Sequence, residues 1–138
     1  MPAYLPEAPI DLSEAKKLKD VKFRCGILGC AGWIAAMLNT ITFEHNDLQQ
    51  VSIYVPADHH HQLEARRTEY FQVGLEQRHP KLADLKKTLI KLSASHTIHV
   101  TIEYTGMGWP EEKTMCKFTE HLFPGIERRG LILDIVYP

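Results

Sequence analysis

Charge of one sign is what this 138-residue sequence has least to spare: 16 Lys and Arg stand against 17 Asp and Glu, for a net charge of -1. That balance supplies no basic field to gather nucleic acid or an anionic membrane surface. Arg66, Arg67, Lys86, Lys87 and Lys91 are interleaved with Glu64, Glu69, Glu76 and Asp84. They read as a mixed solvated surface, so nucleic acid is not an expected partner. Cysteine is scarce too. Cys25, Cys30 and Cys116 cannot all pair within one chain, which argues against a disulfide framework and for reduced thiols in a cytoplasm. No long hydrophobic run is present. The most apolar window, Cys25 to Ile41, is too short to span a bilayer and contains Gly26, Gly29 and Gly32, so no membrane contact is expected. The opening residues lack the basic and apolar regions of a secretory signal. Repeats, low-complexity tracts and internal linkers are missing as well, which leaves a single domain over residues 11–138 behind a proline-rich arm, residues 1–10, with Pro2, Pro6 and Pro9.

What is present is a strong alternation of strand and helix signals. In His96-Thr-Ile-His-Val-Thr-Ile-Glu-Tyr-Thr105, Ile98, Val100, Ile102 and Tyr104 fall on one side, and His99, Thr101 and Glu103 on the other. A period of two with β-branched residues predicts a strand. A helix follows from Pro110, with Met115, Phe118 and Leu122 as its apolar stripe. Leu131 to Tyr137 is apolar except for Asp134, which predicts a central strand covered on both faces. Upstream, Asp11 to Glu14 resembles a capping box opening a short helix over 12–20. Val21, Phe23, Cys25 and Ile27 alternate as a strand leading into a short helix near Trp33 to Leu38. Ile41 to Glu44 and Val51 to Val55 predict a hairpin. Asp58 can cap a helix whose face carries Leu63, Tyr70, Phe71 and Leu75. Pro80 opens another, striped by Leu82, Leu85, Leu89 and Leu92. The expected fold class is α+β: a mixed four- to five-stranded sheet with packed helices. An α/β parallel sheet is the alternative.

Three stretches carry candidate chemistry. Ile98-His-Val-Thr-Ile102 resembles one copy of the signature of the two-histidine phosphoesterases, in which His-x-Thr occurs twice on strands facing one cleft. The resemblance implies acid–base work by His99 and phosphate contact by Thr101. No second His-x-Thr occurs in the chain, and a solvated strand face is the competing reading. Asp58-His-His-His61 could hold a metal with a distant partner such as His45 or His79, but consecutive helical residues point in different directions, and a solvated helix start is favoured. The turn Cys25-Gly-Ile-Leu-Gly-Cys-Ala-Gly32, running into Trp33, is similar to the opening turn of the Gfo/Idh/MocA oxidoreductases, which implies a bound nicotinamide dinucleotide. Its glycines are spaced G-x-x-G-x-x-G rather than G-x-G-x-x-G, and the favoured reading is close backbone packing with no cofactor.

With no complete catalytic set, the expected function is a small protein-interaction module, self-associating or binding another protein, with Trp109, Gly29, Gly32 and Trp33 as candidate contacts. The alternative is a phosphodiester hydrolase using His99 and Thr101 or a histidine-bound metal.

Overall fold

A computed structural model describes residues 10–42, 44–45, 47–67, 78–94, 96–126 and 130–138. In chain order these form β1 (Asp20–Arg24), α1 (Ile27–Leu38), β2 (Gln50–Val55), α2 (His59–Arg66), α3 (Lys81–Leu92), β3 (Ile98–Tyr104), α4 (Glu112–Leu122) and β4 (Leu131–Val136). The strands make one four-stranded sheet in sequential order, β1-β2-β3-β4, and every neighbouring pair is parallel. Strands with packed helices were expected, and the pairing direction is that of the parallel alternative.

Sequential parallel strands joined by right-handed crossovers place their helices on one face. The burial pattern agrees. Val21 and Phe23, Val51, Ile53 and Val55, and Ile98, Val100, Ile102 and Tyr104 are all buried, and each alternates with a more accessible residue or, at Ser52, a small polar one. Above them α1 packs along α3, and α2 touches α4. The α3 stripe lands as its spacing predicts: Leu82, Leu85 and Leu89 are fully buried, each contributing about 1.5–3 kcal/mol through removal from water. Met115, Phe118 and Leu122 do the same for α4. The Tyr104 hydroxyl, buried under that helix, lies 2.7 Å from the Thr119 hydroxyl.

Four expectations are corrected. The hairpin does not form. Ile41 and Thr42 lie outside any strand, and β2 is instead sandwiched between β1 and β3. The helix over 12–20 is two successive turns, closed by Ala15 N–H to Leu12 C=O (3.0 Å) and Leu18 N–H to Ala15 C=O (3.1 Å). The Asp11 carboxylate caps only the first, accepting from the Ser13 N–H at 2.9 Å. Helix α1 begins at Ile27 and runs straight through Gly29 and Gly32, because burying Ile27, Leu28, Ala31 and Ile34 outweighs the low helix propensity of two glycines. Finally, β4 is an edge strand. Only Leu131 is buried, while Ile132, Asp134 and Val136 are exposed. The expected positions of Tyr70, Phe71 and Leu75, and the arm before Ile10, lie outside the described residues. Among the described residues, no helix is long and apolar enough to cross a membrane.

Candidate interaction surface

The face of the sheet opposite the helices is built by twelve side chains in three rows. Register sets Asp20, Gln50, His99 and Ile132 side by side, then Lys22, Ser52, Thr101 and Asp134, then Arg24, Tyr54, Glu103 and Val136. Ile132 is 42% exposed and Val136 40%; the side chains of His99 and Asp134 are 46% and 60% exposed. All-parallel sheets occur almost only with both faces covered, so an accessible face carrying aliphatic side chains is the anomaly of this fold.

Local contacts order that face without hiding it. Gln50 Nε2 donates to Thr101 Oγ1 at 2.6 Å and to Ser52 Oγ at 3.3 Å. The Arg24 guanidinium lies over the Tyr54 ring, 5.9 Å from its centroid, a weak cation–π contact at an accessible site. His99 Nδ1 is 3.8 Å from Asp134 Oδ2, too long for a hydrogen bond. Charge is unevenly divided across the sheet: Lys22 and Arg24 lie on β1 with Asp20, Glu103 on β3 and Asp134 on β4.

The structure brings the expected pair His99 and Thr101 together on this face, two residues apart on β3. His99 is the only histidine among the twelve positions, so the paired-histidine cleft of the phosphoesterases is not assembled there. Glu103 shares the side of the strand that carries His99 and Thr101, as the alternation predicts, and Asp134 lies beside Thr101. The other eight residues were not singled out as a site from sequence. Their signal was the parity of polar residues in Lys22 and Arg24, and Gln50 and Ser52. It becomes readable as a surface only once register aligns the four strands.

Trp109 is held rather than displayed. Its ring packs on Tyr104 at 5.1 Å between centroids, and its Nε1–H donates to the Thr105 carbonyl at 2.8 Å. Trp33 lies edge-on to Phe23 at 6.1 Å, and its buried Nε1–H finds no acceptor among the described residues. Gly29 has open space where a side chain would project, while Gly32 is roofed by the aliphatic stem of Lys81. None of these four residues lies on the accessible sheet face.

At the carboxyl end of the sheet, the turn between β1 and α1 is filled by a histidine. Asp58 caps α2 through the His61 N–H (3.2 Å) and accepts from His61 Nδ1 (3.1 Å). His61 Nε2 in turn accepts the Leu28 N–H at 3.0 Å, in the first turn of α1. This arrangement requires the neutral imidazole with its proton on Nδ1. Burial pushes the His61 pKa below the ordinary value, partly opposed by the Asp58 carboxylate. The hydrogen bond from His61 holds Asp58 below the usual carboxylate range. The contact is therefore a hydrogen bond from a neutral ring, not an ion pair. A methyl group on Gly26 would lie 2.7 Å from His61 Cε1. Where the resemblance to a nucleotide-binding turn implies a phosphate on the helix N-terminus, an imidazole from the same chain occupies the space.

His45 and His96 are likewise structural. His45 Nδ1 accepts the Thr42 N–H at 3.1 Å, and its Nε2 lies 2.9 Å from the Leu12 carbonyl. His96 Nε2 reaches the Leu48 carbonyl at 2.5 Å. His60 stacks edge-on against both His61 and His79. Among the described residues, no group of three or more His, Cys, Asp or Glu side chains is placed to hold a metal ion. No family model, curated protein or solved structure matches this chain, and its accessible sheet face is thus the feature on which a functional reading rests.

Proposed function

We propose that this chain is a protein-interaction module whose recognition surface is the accessible face of its parallel sheet, and that a second copy of the chain occupies it. The observation that carries the reading is the accessibility of Ile132 and Val136 on a sheet type that is ordinarily covered on both sides. Charge complementarity favours a second copy. A twofold axis parallel to the strands lays β1 of each copy over β4 of the other, so that Lys22 of each meets Asp134 of the other. Turning the second copy end for end would instead set Asp20 on Arg24, His99 on Glu103 and Ile132 on Val136, while stacking Lys22 on Lys22 and Asp134 on Asp134. The twelve positions cover a patch about 15 Å on a side, from strand spacing and rise. With twelve residues a side it is smaller than a standard specific interface and implies a weak, reversible dimer. A reducing, cytoplasmic setting suits the three free thiols.

Sedimentation velocity over a concentration series tests the reading. The expected result is a concentration-dependent dimer that weakens at least tenfold in Ile132→Asp, in Lys22→Asp and in Asp134→Lys, and recovers in the double charge swap. A dimer lost in Ile132→Asp but not recovered by the swap keeps the surface and overturns the stacking direction. A dimer indifferent to all four variants, or a wild-type protein that stays monomeric throughout, overturns self-association through this face.

A further inference from the structure

A cavity of about 500 Å³ lies at the amino end of the sheet, beside the last turns of α1 and α3 and the connections that lead into β2 and β3. Ile41, Leu48, Leu92 and Ala94 give it an aliphatic lining, and the first two are buried. The histidines of the lining are already engaged. His45 is held between the Thr42 N–H and the Leu12 carbonyl, and His96 by the Leu48 carbonyl. The carbonyls that end the two helices are engaged too. Leu38 C=O accepts the Ile41 N–H at 3.1 Å, Met37 C=O the Thr40 hydroxyl at 2.7 Å, and Ile90 C=O the Ser93 hydroxyl at 2.7 Å. The negative helix ends are thus satisfied within the chain.

The charge that remains is of one sign. Lys91 is exposed at the rim, and no Asp or Glu among the described residues lines the cavity. One turn back along α3, Lys87 lines an adjoining cavity of about 420 Å³ that shares Asn39 and Lys91. There Lys81 and Asp84 face each other at 3.7 Å. Neither Lys87 nor Lys91 has an ion-pair partner among the described residues.

We propose that this cavity binds a medium-chain aliphatic carboxylate, with the chain against Ile41, Leu48 and Leu92 and the carboxylate on Lys91. An aliphatic wall beside an unpaired ammonium complements an anion with an apolar body. The volume falls within the roughly 300–1,000 Å³ of small-molecule sites. Burial of the chain supplies affinity in proportion to its length, and the ammonium selects a charged head over a neutral one. A short carboxylate lacks the first contribution and an alcohol lacks the second. None of the lining residues is among the twelve positions of the accessible sheet face, so the site stands or falls independently of self-association.

The test is to titrate the isotope-labelled, full-length protein with decanoate and follow the amide chemical shifts. Saturable binding is expected, with the largest shifts at Ile41, Leu48, Leu92 and Ala94 and none at Ile132 or Val136. Affinity should fall about fourfold for each methylene removed from the chain. It should fall about fivefold when decanol replaces decanoate, and about fivefold in Lys91→Gln. Ala94 is exposed and follows α3, so Ala94→Trp should fill the mouth and abolish binding while the core stays intact. Equal affinity for decanol and decanoate, shifts centred on the sheet face, full binding by Ala94→Trp, or no saturable shift overturns the proposal. The chain-length series and the decanol comparison use the wild-type protein, so they decide the matter even if a variant fails to fold.

Discussion

Replacing His61 with alanine should be among the most damaging single changes in this protein. The imidazole is almost fully buried and ties three segments together: the α2 start through Asp58, the β1–α1 turn that it packs against at Gly26, and the first turn of α1 through the Leu28 N–H. Truncation leaves that buried N–H without its acceptor, at about 1–3 kcal/mol. It also opens a ring-sized void, at about 2–4 kcal/mol where the surroundings relax only in part. Together these predict a loss of about 3–7 kcal/mol, a large share of the roughly 5–15 kcal/mol that holds a domain folded. The melting temperature should fall by about 10–25 °C at this chain length. Acid should act on the same contact. The folded-state pKa of His61 lies below the ordinary 6.5, so between the two values the unfolded chain binds more protons. The contribution of His61 is full above 6.5 and is lost as pH falls through the folded value. Protonation would also place an N–H on Nε2 against the Leu28 N–H. His79 shifts in the same direction, chiefly through desolvation, and Asp58, His60 and His79 all act on the His61 ring. The comparison that isolates His61 is therefore wild type against His61→Ala. Urea denaturation across this pH range should show a steeper acid loss in the wild type. A cost under about 1 kcal/mol, or parallel pH profiles, would refute the reasoning.

Two further substitutions probe the frame that positions the sheet face. Gly106→Ala should destabilise by about 2 kcal/mol or more, since φ is 89° and the added carbon would lie 2.6 Å from Ala57 Cβ; an unchanged melting temperature would count against this loop geometry. Tyr104→Phe should cost only about 1 kcal/mol, because the Thr119 hydroxyl keeps its bond to the Met115 carbonyl at 2.9 Å; chemical denaturation should show the smaller loss.

Elements whose signals are local were legible in the residues. The alternation from Ile98 to Tyr104, the stripe of Leu82, Leu85 and Leu89, and the Asp58 cap each depend on neighbours within a few positions. What failed was decided at a distance. Ile41 and Thr42 look like a strand, yet the Thr42 N–H goes to His45, and the Thr40 hydroxyl accepts from the Leu12 N–H at 2.8 Å. Those groups are committed to a turn and are not available to a ladder. The run from Leu131 to Tyr137 is as apolar as a central strand, but strand order places it at the edge, and composition holds no information about order. The site was half legible for the same reason. His99 and Thr101 share one strand, whereas Lys22, Tyr54 and Asp134 join them only through register.

The central claim is that the accessible sheet face is where this protein meets its partner. Residue-resolved covalent footprinting of the purified protein, dilute and then concentrated, tests it most directly. The account predicts strong labelling of Tyr54, Ile132 and Val136 in the dilute sample and protection of all three on concentration. Met107, 89% exposed at the tip of the β3–α4 loop, should label equally in both. Protection confined to Met107 or to the outer faces of α1 and α3, with the sheet face labelled throughout, would contradict it.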